Sequence, residues 1–429
     1  MHYQKTGKEQ VFFTGFVCNG ASTIKEMKRN MEYQLFQELK LSTLGFGAMR
    51  LPTVGSAPGA AVDEAEAKRI IRYAYEHGMN YFDTAYPYHN GESEIILGRA
   101  LRQFPRESYY IATKYPGHEI HITYDPKATF EEQLEKCGVE YFDFYLLHNI
   151  YENSIKTYSD PKWGILDYFR EQKRNGRIRH FGFSAHGNVE TIKKFLDIYG
   201  GEMEFGMIQL NYVDWALQDA KSKYDFLNEC GIPVWVMEPV RGGKLASIPL
   251  ENSARLKEKR PAESMAAWAF RWLQTLPSVK MILSGMSNMD QVQDNIKTFS
   301  TGSPLNEEEV RLIEKVADSM MDLLPCTDCR YCCDDCSQEL DIPTLLTYYN
   351  DCRFAPTIIP SMKVDALEPD KRPSACNACG KCKEMCPQGI DIPEELKAFQ
   401  SILDTLPHWA DLRQRPEDIE HRKKAGNKI

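Results

Sequence analysis

Before residue 325 this 429-residue chain has only three cysteines, Cys18, Cys137 and Cys230. A secreted scaffold stapled by disulfides spreads cysteine through a short chain, so that class is excluded for the body of this protein. Long apolar runs are also missing: no stretch reaches the roughly 18–20 continuous apolar residues that a membrane span needs. Basic charge is not in excess, with 52 Lys and Arg against 61 Asp and Glu and a net charge of −9. Nucleic acid and anionic membranes are held by basic faces, so neither is an expected partner. What remains is 42% hydrophobic and 26% charged, an ordinary globular composition whose length suits two to three domains.

Residues 1–30 lack periodicity. The apolar run at 11–17 invites a signal-peptide reading, but Glu9 stands before it and no small-residue cleavage site follows. An N-terminal extension is expected there, with Cys18 as a free thiol and the folded unit starting near Met31. From Leu44 one plan repeats: a short apolar run, a turn, then helical periodicity. The runs are TLGFGAM, MNYFDT, YYIATK, YFDFYLLH, RHFGFS, GMIQLN, PVWVME and VKMILSG. Helical stretches follow at 64–77, 92–103, 163–175, 189–199, 219–230, 264–276 and 289–299. The runs recur about every 34 residues, the length of a βα unit. Eight such units predict an α/β fold, a (β/α)₈ barrel over residues 31–323, with a last helix over 306–323 capped by Asn306. An open doubly wound sheet is the alternative; it lacks the G-x-G-x-x-G turn expected after its first strand.

Barrel chemistry sits where strands end and helices begin. These runs end on Asp83, Lys114, His148, Ser184, Gln209 with Asn211, and Glu238. Each alone reads more readily as a solvated loop residue or a paired ion. Together, at one rim, they make a polar site. Tyr88 follows five residues after Asp83. A phenol with a pKa near 10 is a weak acid, and a neighbouring ammonium is expected to lower it. Asp83 would hold Lys114 charged, while His148 donates a hydrogen bond to a carbonyl or assists proton transfer. The set reads as a proton-delivery device for a carbonyl that accepts hydride from a cofactor.

These residues resemble the aldo/keto reductases. LGFGAMRLP, DTA-x-x-Y followed by GESEIILGRAL, the TK pair, DFYLLH, IRHFGFSAHG, MIQLNY and ILSGMSNMDQVQDN stand in the family's order across residues 31–301. The resemblance implies a nicotinamide cofactor across the barrel mouth, with Tyr88 as proton donor, Lys114 and Asp83 as its tuners and His148 orienting the substrate. It implies that Ser184 and Gln209 hold the carboxamide. The adenosine end would lie on the loop from Gly285 through Ser287, Asn288, Gln291 and Asp294 to Asn295. One departure is His186, where many relatives carry Asn. Residues 283–295 hold no Arg or Lys and carry Asp290 and Asp294, so NADH is expected over NADPH; Arg241, Lys244 and Lys280 are the possible distant cations. Residues 150–161 and 239–245 are candidate substrate walls.

The other ten cysteines lie between Cys326 and Cys386. Cys376, Cys379, Cys382 and Cys386 form C-x₂-C-x₂-C-x₃-C followed by Pro387, the bacterial ferredoxin run for a [4Fe–4S] cluster. Cys326, Cys329, Cys332 and Cys336 repeat the spacing. In two-cluster ferredoxins the fourth cysteine ligates the other cluster. The expected sets are therefore Cys326, Cys329, Cys332 and Cys386, and Cys376, Cys379, Cys382 and Cys336. Zinc is the alternative, since paired C-x₂-C motifs also suit a tetrahedral site. Cys333 offers a second register, Ser337 replaces the proline in the first run, and Cys333 and Cys352 are expected to be free. Asp-Ile-Pro after both runs points to a duplicated half-unit. Residues 324–405 resemble the helical ferredoxin-like domain attached to some aldo/keto reductases, and 406–429 form a charged tail.

The expectation is a cytoplasmic oxidoreductase acting on a small carbonyl or alcohol. NAD(P)H and two [4Fe–4S] clusters are its expected cofactors, and an external electron carrier is a possible partner. The rival readings are an electron-transfer or binding protein with an inactive barrel, and a zinc-stapled regulatory protein.

Overall fold

The computed structural model describes residues 31–55, 60–118, 124–324, 326, 330–334, 336–354, 356–386 and 388–407. The proposed N-terminal extension with Cys18, the cluster residue Cys329 and nearly all of the tail lie outside these residues.

The chain opens with a hairpin, β1 (Tyr33–Phe36) and β2 (Leu39–Ser42), turned at Gln37 with a left-handed φ of 51°. Eight strands follow: β3 (Leu44–Gly47), β4 (Tyr81–Asp83), β5 (Tyr110–Tyr115), β6 (Phe142–Ile150), β7 (Ile178–Ala185), β8 (Phe205–Gln209), β9 (Val234–Met237) and β10 (Val279–Gly285). All eight coincide with the runs read from the sequence. They pair in parallel and in chain order, and β10 closes on β3 through Ile282 and Leu44. Strands buried on both faces explain the near-continuous apolar runs. Tyr81, Phe144, Phe205, Trp235 and Met281 fill the interior, and the outer faces pack on the helices.

The hairpin was not anticipated. It plugs the end of the barrel where strands begin: Phe36 meets Trp235 edge-on, 4.9 Å between ring centres, and Leu41 joins the same interior cluster. The helix Pro126–Cys137 was also missed, although Phe130, Leu134 and Cys137 stand at helical spacing and Asp125 caps its start by accepting from the Ala128 N–H. Two shorter helices, Ser154–Ser159 and Leu250–Lys259, were likewise not foreseen. The helix expected over 306–323 runs Glu307–Met320, with Asn306 and Glu309 forming a reciprocal capping box.

Beyond the barrel the chain is helical: Tyr331–Asp334, Ile342–Phe354, Ile358–Asp365, Lys381–Met385 and Ile392–Leu403. A shift of 50 residues relates its halves, carrying Cys326 onto Cys376 and Asp341 onto Asp391. The backbone follows that repeat. Left-handed residues recur at Arg330 and Gly380, then at Glu339 and Gly389, and each Asp-Ile-Pro opens a long helix. Leu340, Ile342, Leu345, Leu346, Ile390, Ile392 and Leu396 make the small core, together with Cys332 and Cys382. Among the described residues no helix is long and apolar enough to cross a membrane.

Candidate active site

A cavity of about 800 Å³ opens where the barrel strands end. Asp83, Tyr88, Lys114 and His148 all line it. Asp83 closes β4, Lys114 and His148 sit near the ends of β5 and β6, and Tyr88 begins the turn Tyr88–Gly91. His89 and Asn90 in that turn are left-handed, and the His89 Nε2 accepts from the Leu51 N–H at 3.1 Å, which fixes the loop beside β3.

Lys114 is 1% exposed, and its ammonium donates to Asp83 Oδ1 at 2.5 Å, the Thr84 carbonyl at 2.7 Å and the Tyr88 hydroxyl at 3.4 Å. Burial alone would neutralise this lysine; the Asp83 carboxylate and Tyr88 oxygen outweigh it and raise its pKa. Burial likewise raises Asp83 against the pull of Lys114. For Tyr88 the direction differs from the expectation of a lowered pKa. Burial pushes the phenol up, and the Lys114 charge offsets this only in part. The His148 ring meets the Tyr88 ring edge-on at 5.8 Å, so both face one volume.

A second layer fixes β5. Glu94 accepts from Thr113 Oγ1 at 2.6 Å and from Gln133 Nε2 at 2.7 Å, while Gln133 also donates to the Lys114 carbonyl at 3.0 Å.

At the inner end, Ser184 Oγ accepts from the Asn149 N–H at 2.8 Å. Gln209 Nε2 donates to Asp214 at 2.8 Å, and its buried Oε1 makes no hydrogen bond of ordinary geometry. His186 lines the cavity beside it, and burial plus the charges of Lys363 and Lys223 lower its pKa to about 3. It is neutral at any working pH.

At the outer end, Gly285, Ser287, Gln291 and Asn295 line the cavity. Asn288 and Asp294 have other partners: Asn288 accepts from the Gln291 N–H at 3.0 Å as a helix cap, and Asp294 accepts from Ser264 Oγ at 2.5 Å. Of the distant cations named from the sequence, two are engaged elsewhere and one is open to solvent. Lys280 donates to the Pro277 carbonyl, Arg241 is buried among carboxylates, and Lys244 is solvent-exposed. Arg50 was overlooked. Its side chain lies on Gly285, its carbonyl accepts from Ser287 Oγ at 2.8 Å, and its guanidinium pairs with Glu238 at 3.2 Å. Of the two candidate walls, Pro239, Val240, Arg241, Gly242 and Gly243 line the cavity, whereas no residue of 150–161 does.

Sequence reading also missed His118 and Asn149. His118 is 2% exposed, lines the cavity and meets the His148 ring at 4.4 Å. Asn149 follows His148 with a left-handed φ of 58°. The signal for each was its closeness in sequence to a strand-end residue.

In the C-terminal part, Cys336, Cys376, Cys379 and Cys382 line one small cavity with Leu340 and Ile342. Burial raises the Cys332 thiol to about 12, with Cys333 and Cys326 adding to it, and burial with the neighbouring thiols raises Cys382 to about 11. Among the described residues, no three His, Cys, Asp or Glu converge tightly enough for a single metal ion.

Residues 43–318 match the aldo/keto reductase family, and the chain belongs to it. It is an oxidoreductase of that family. It is 27% identical over 310 residues to an uncharacterized oxidoreductase, YqkF, of Bacillus subtilis, covering 65% of this chain and 93% of that one. It is 24% identical to the NADH-specific methylglyoxal reductase of Escherichia coli, covering 66% of this chain and 97% of the relative. The aldo-keto reductase AKR11C1 of Bacillus halodurans superposes with a TM-score of 0.53 at 27% identity, over 67% of this chain and 96% of that one. The cysteine-rich part lies beyond the family match.

Proposed function

We propose that the barrel interconverts a carbonyl and an alcohol with a nicotinamide cofactor, and that the C-terminal part holds two [4Fe–4S] clusters. The observation that carries the first half is the buried Asp83–Lys114–Tyr88 chain facing His148 in one cavity.

The cavity fits a nicotinamide dinucleotide. Gln209 Oε1, near His186 but without a hydrogen bond of ordinary geometry, suits a carboxamide N–H at the inner end, beside Ser184, and Gly285, Ser287, Gln291 and Asn295 line the outer end. Bound there, the cofactor supplies or accepts hydride. Tyr88 then gives its proton to the substrate oxygen as charge develops on it. Lys114 is fixed by Asp83, and its charge stabilises the phenolate that remains. An alkoxide is a far stronger base than a phenolate, so a Tyr88 pKa raised by burial does not obstruct the transfer. His148 points the carbonyl oxygen at Tyr88. The reverse reaction needs Tyr88 as phenolate, so it should speed up as pH rises. NADH is the proposed cofactor, because residues 283–295 offer a 2′-phosphate no cation. The name of the Escherichia coli relative agrees with that choice.

The cysteines fit clusters in the expected register. Cys336 from the first run shares a cavity with Cys376, Cys379 and Cys382 from the second. A tetrahedral zinc ion needs its sulfurs about 2.3 Å from one point; a cubane is larger and keeps its thiolates farther apart. The 50-residue repeat makes Cys386 the fourth partner of Cys326, Cys329 and Cys332. Such clusters supply one-electron steps and belong in a reducing, cytoplasmic setting, where an external carrier exchanges electrons with them.

Anaerobic protein should contain about eight iron and eight sulfide per chain. Stoichiometric zinc without acid-labile sulfide would end the cluster reading. Adding NADH to that protein should bleach the cluster absorbance; an unchanged spectrum would make the clusters structural and leave the barrel a plain carbonyl reductase.

A further inference from the structure

The cysteine-rich part does not stand apart from the reaction cavity. Thr357, Ile358, Ile359 and Met362, all beyond the family match, line the same cavity as Tyr88 and His148. Asn149, next to His148, donates from Nδ2 to Met362 Sδ at 3.3 Å. A buried polar network holds this arrangement. Arg241, in the turn after β9, donates to Asp214 Oδ1 at 2.9 Å and also to Asp351 on the helix Ile342–Phe354. Gln218 donates to the other Asp351 oxygen at 2.7 Å. These four groups are at most 8% exposed, so the contact between the helix and the barrel is a closed polar network.

We infer that the helix Ile358–Asp365 is a specificity-determining wall of the substrate site, selecting carbonyl compounds whose non-reacting part is an apolar chain or ring. The inference rests on the proposed reading of the cavity as the carbonyl site. Ile358, Ile359 and Met362 present hydrocarbon and thioether, with no charge to meet a substrate's polar group. Two polar groups of the cavity are engaged with each other's partner: the Tyr86 hydroxyl donates to Glu132 at 3.0 Å, and Lys136 pairs with Glu132 at 2.5 Å. Thr357, Ile358 and Ile359 are only partly buried, which leaves them surface to offer a ligand.

The test uses the full-length, cluster-loaded protein with saturating NADH and straight-chain aldehydes from propanal to octanal. Each methylene that leaves water for an apolar wall should raise kcat/KM about fourfold. Ile359→Ser should flatten that dependence to less than twofold per methylene. It is a substitution at a partly exposed position that spares the fold, which near-ultraviolet circular dichroism would verify. Met362→Ala should shift the optimum toward longer chains. A chain-length dependence unchanged in both variants would overturn the inference, as would a wild-type preference for charged or polyhydroxylated carbonyls. Tyr88→Phe separates the two readings. If it keeps aldehyde turnover, the reading of the cavity fails; if it loses turnover while the wall variants keep the dependence, only the wall fails.

Discussion

The barrel mouth and the cysteine-rich part hold reactive groups in opposite ways. In the mouth, a lysine, a carboxylate and a phenol sit at strand ends above an interior packed with Phe144, Phe205 and Trp235, none of them exposed. That core is built of the barrel's own side chains, and the charges above it compensate one another. Among the described residues of the C-terminal part, the main cluster has nine buried residues, two of which are Cys332 and Cys382. So small a core, part of it thiol, does not supply the stability of an independent domain. On the proposed reading, bound clusters would supply the rest, as in small metal-stapled domains. One region would then be a scaffold that carries a site, and the other a site that organises its scaffold.

The largest effect should follow from removing the Tyr88 proton. Tyr88→Phe should lower kcat for carbonyl reduction by about 10²–10⁴-fold, the range for a positioned general acid, with the fold and cluster spectrum intact. Because burial raises the Tyr88 pKa above the ordinary phenol value, wild-type reduction should be flat with pH through the neutral range, whereas alcohol oxidation should climb with pH. A reduction rate that fell between pH 7 and 8 would show that Lys114 wins over burial after all.

Next in size is the loss of iron and sulfide. Stripping the clusters should release the amides of Ile342–Phe354 and Ile392–Leu403 to rapid hydrogen exchange, while β5 and β6 stay protected. Equal protection before and after stripping would mean that the apolar core suffices and that the contrast drawn above is wrong. Between the two regions lies the Arg241 network. Arg241→Met leaves Asp214 and Asp351 buried without their cation, a loss of about 3–5 kcal/mol. The expected outcome is cleavage by protease near residue 355 and a raised KM, with the barrel's own unfolding transition retained.

The barrel was legible in the sequence because its strands are buried on both faces and end on polar residues, so apolar runs carried the fold and their last letters named residues that line the cavity. The hairpin was not legible. Leu35 is 71% exposed while Phe36 is buried, so YQLF shows little apolar alternation, and its role as a plug depends on Trp235, some 200 residues away. The duplicated cysteine spacing, offset by 50 residues, could be read because it is local. The wall at Thr357–Met362 could not, since nothing in that segment announces the cavity that folding brings beside it. The Tyr88 pKa was misjudged for a related reason: a neighbouring charge is visible in a motif, but the depth of burial that outweighs it is not.

The smallest predicted effect concerns the outer end of the cavity, where the sequence offered no cation and the fold brings in Arg50. Its guanidinium is 46% exposed and pairs with Glu238 at 3.2 Å, so it is neither locked nor fully available to a phosphate. Exposed pairs of this kind contribute about 0–1 kcal/mol. Wild-type protein should bind NADH more tightly than NADPH by roughly tenfold, because charge-assisted hydrogen bonds to the 2′-phosphate are missing. Glu238→Gln removes the competing carboxylate and frees Arg50. The NADH preference should then narrow by about two- to fivefold, the range that up to about 1 kcal/mol allows. Arg50→Ala in the same background should restore the original ratio. Fluorescence titration of both cofactors against the three proteins measures this directly. A ratio that does not move in Glu238→Gln would place Arg50 out of reach of the 2′-phosphate and leave the absence of cations in residues 283–295 as the whole basis of cofactor choice.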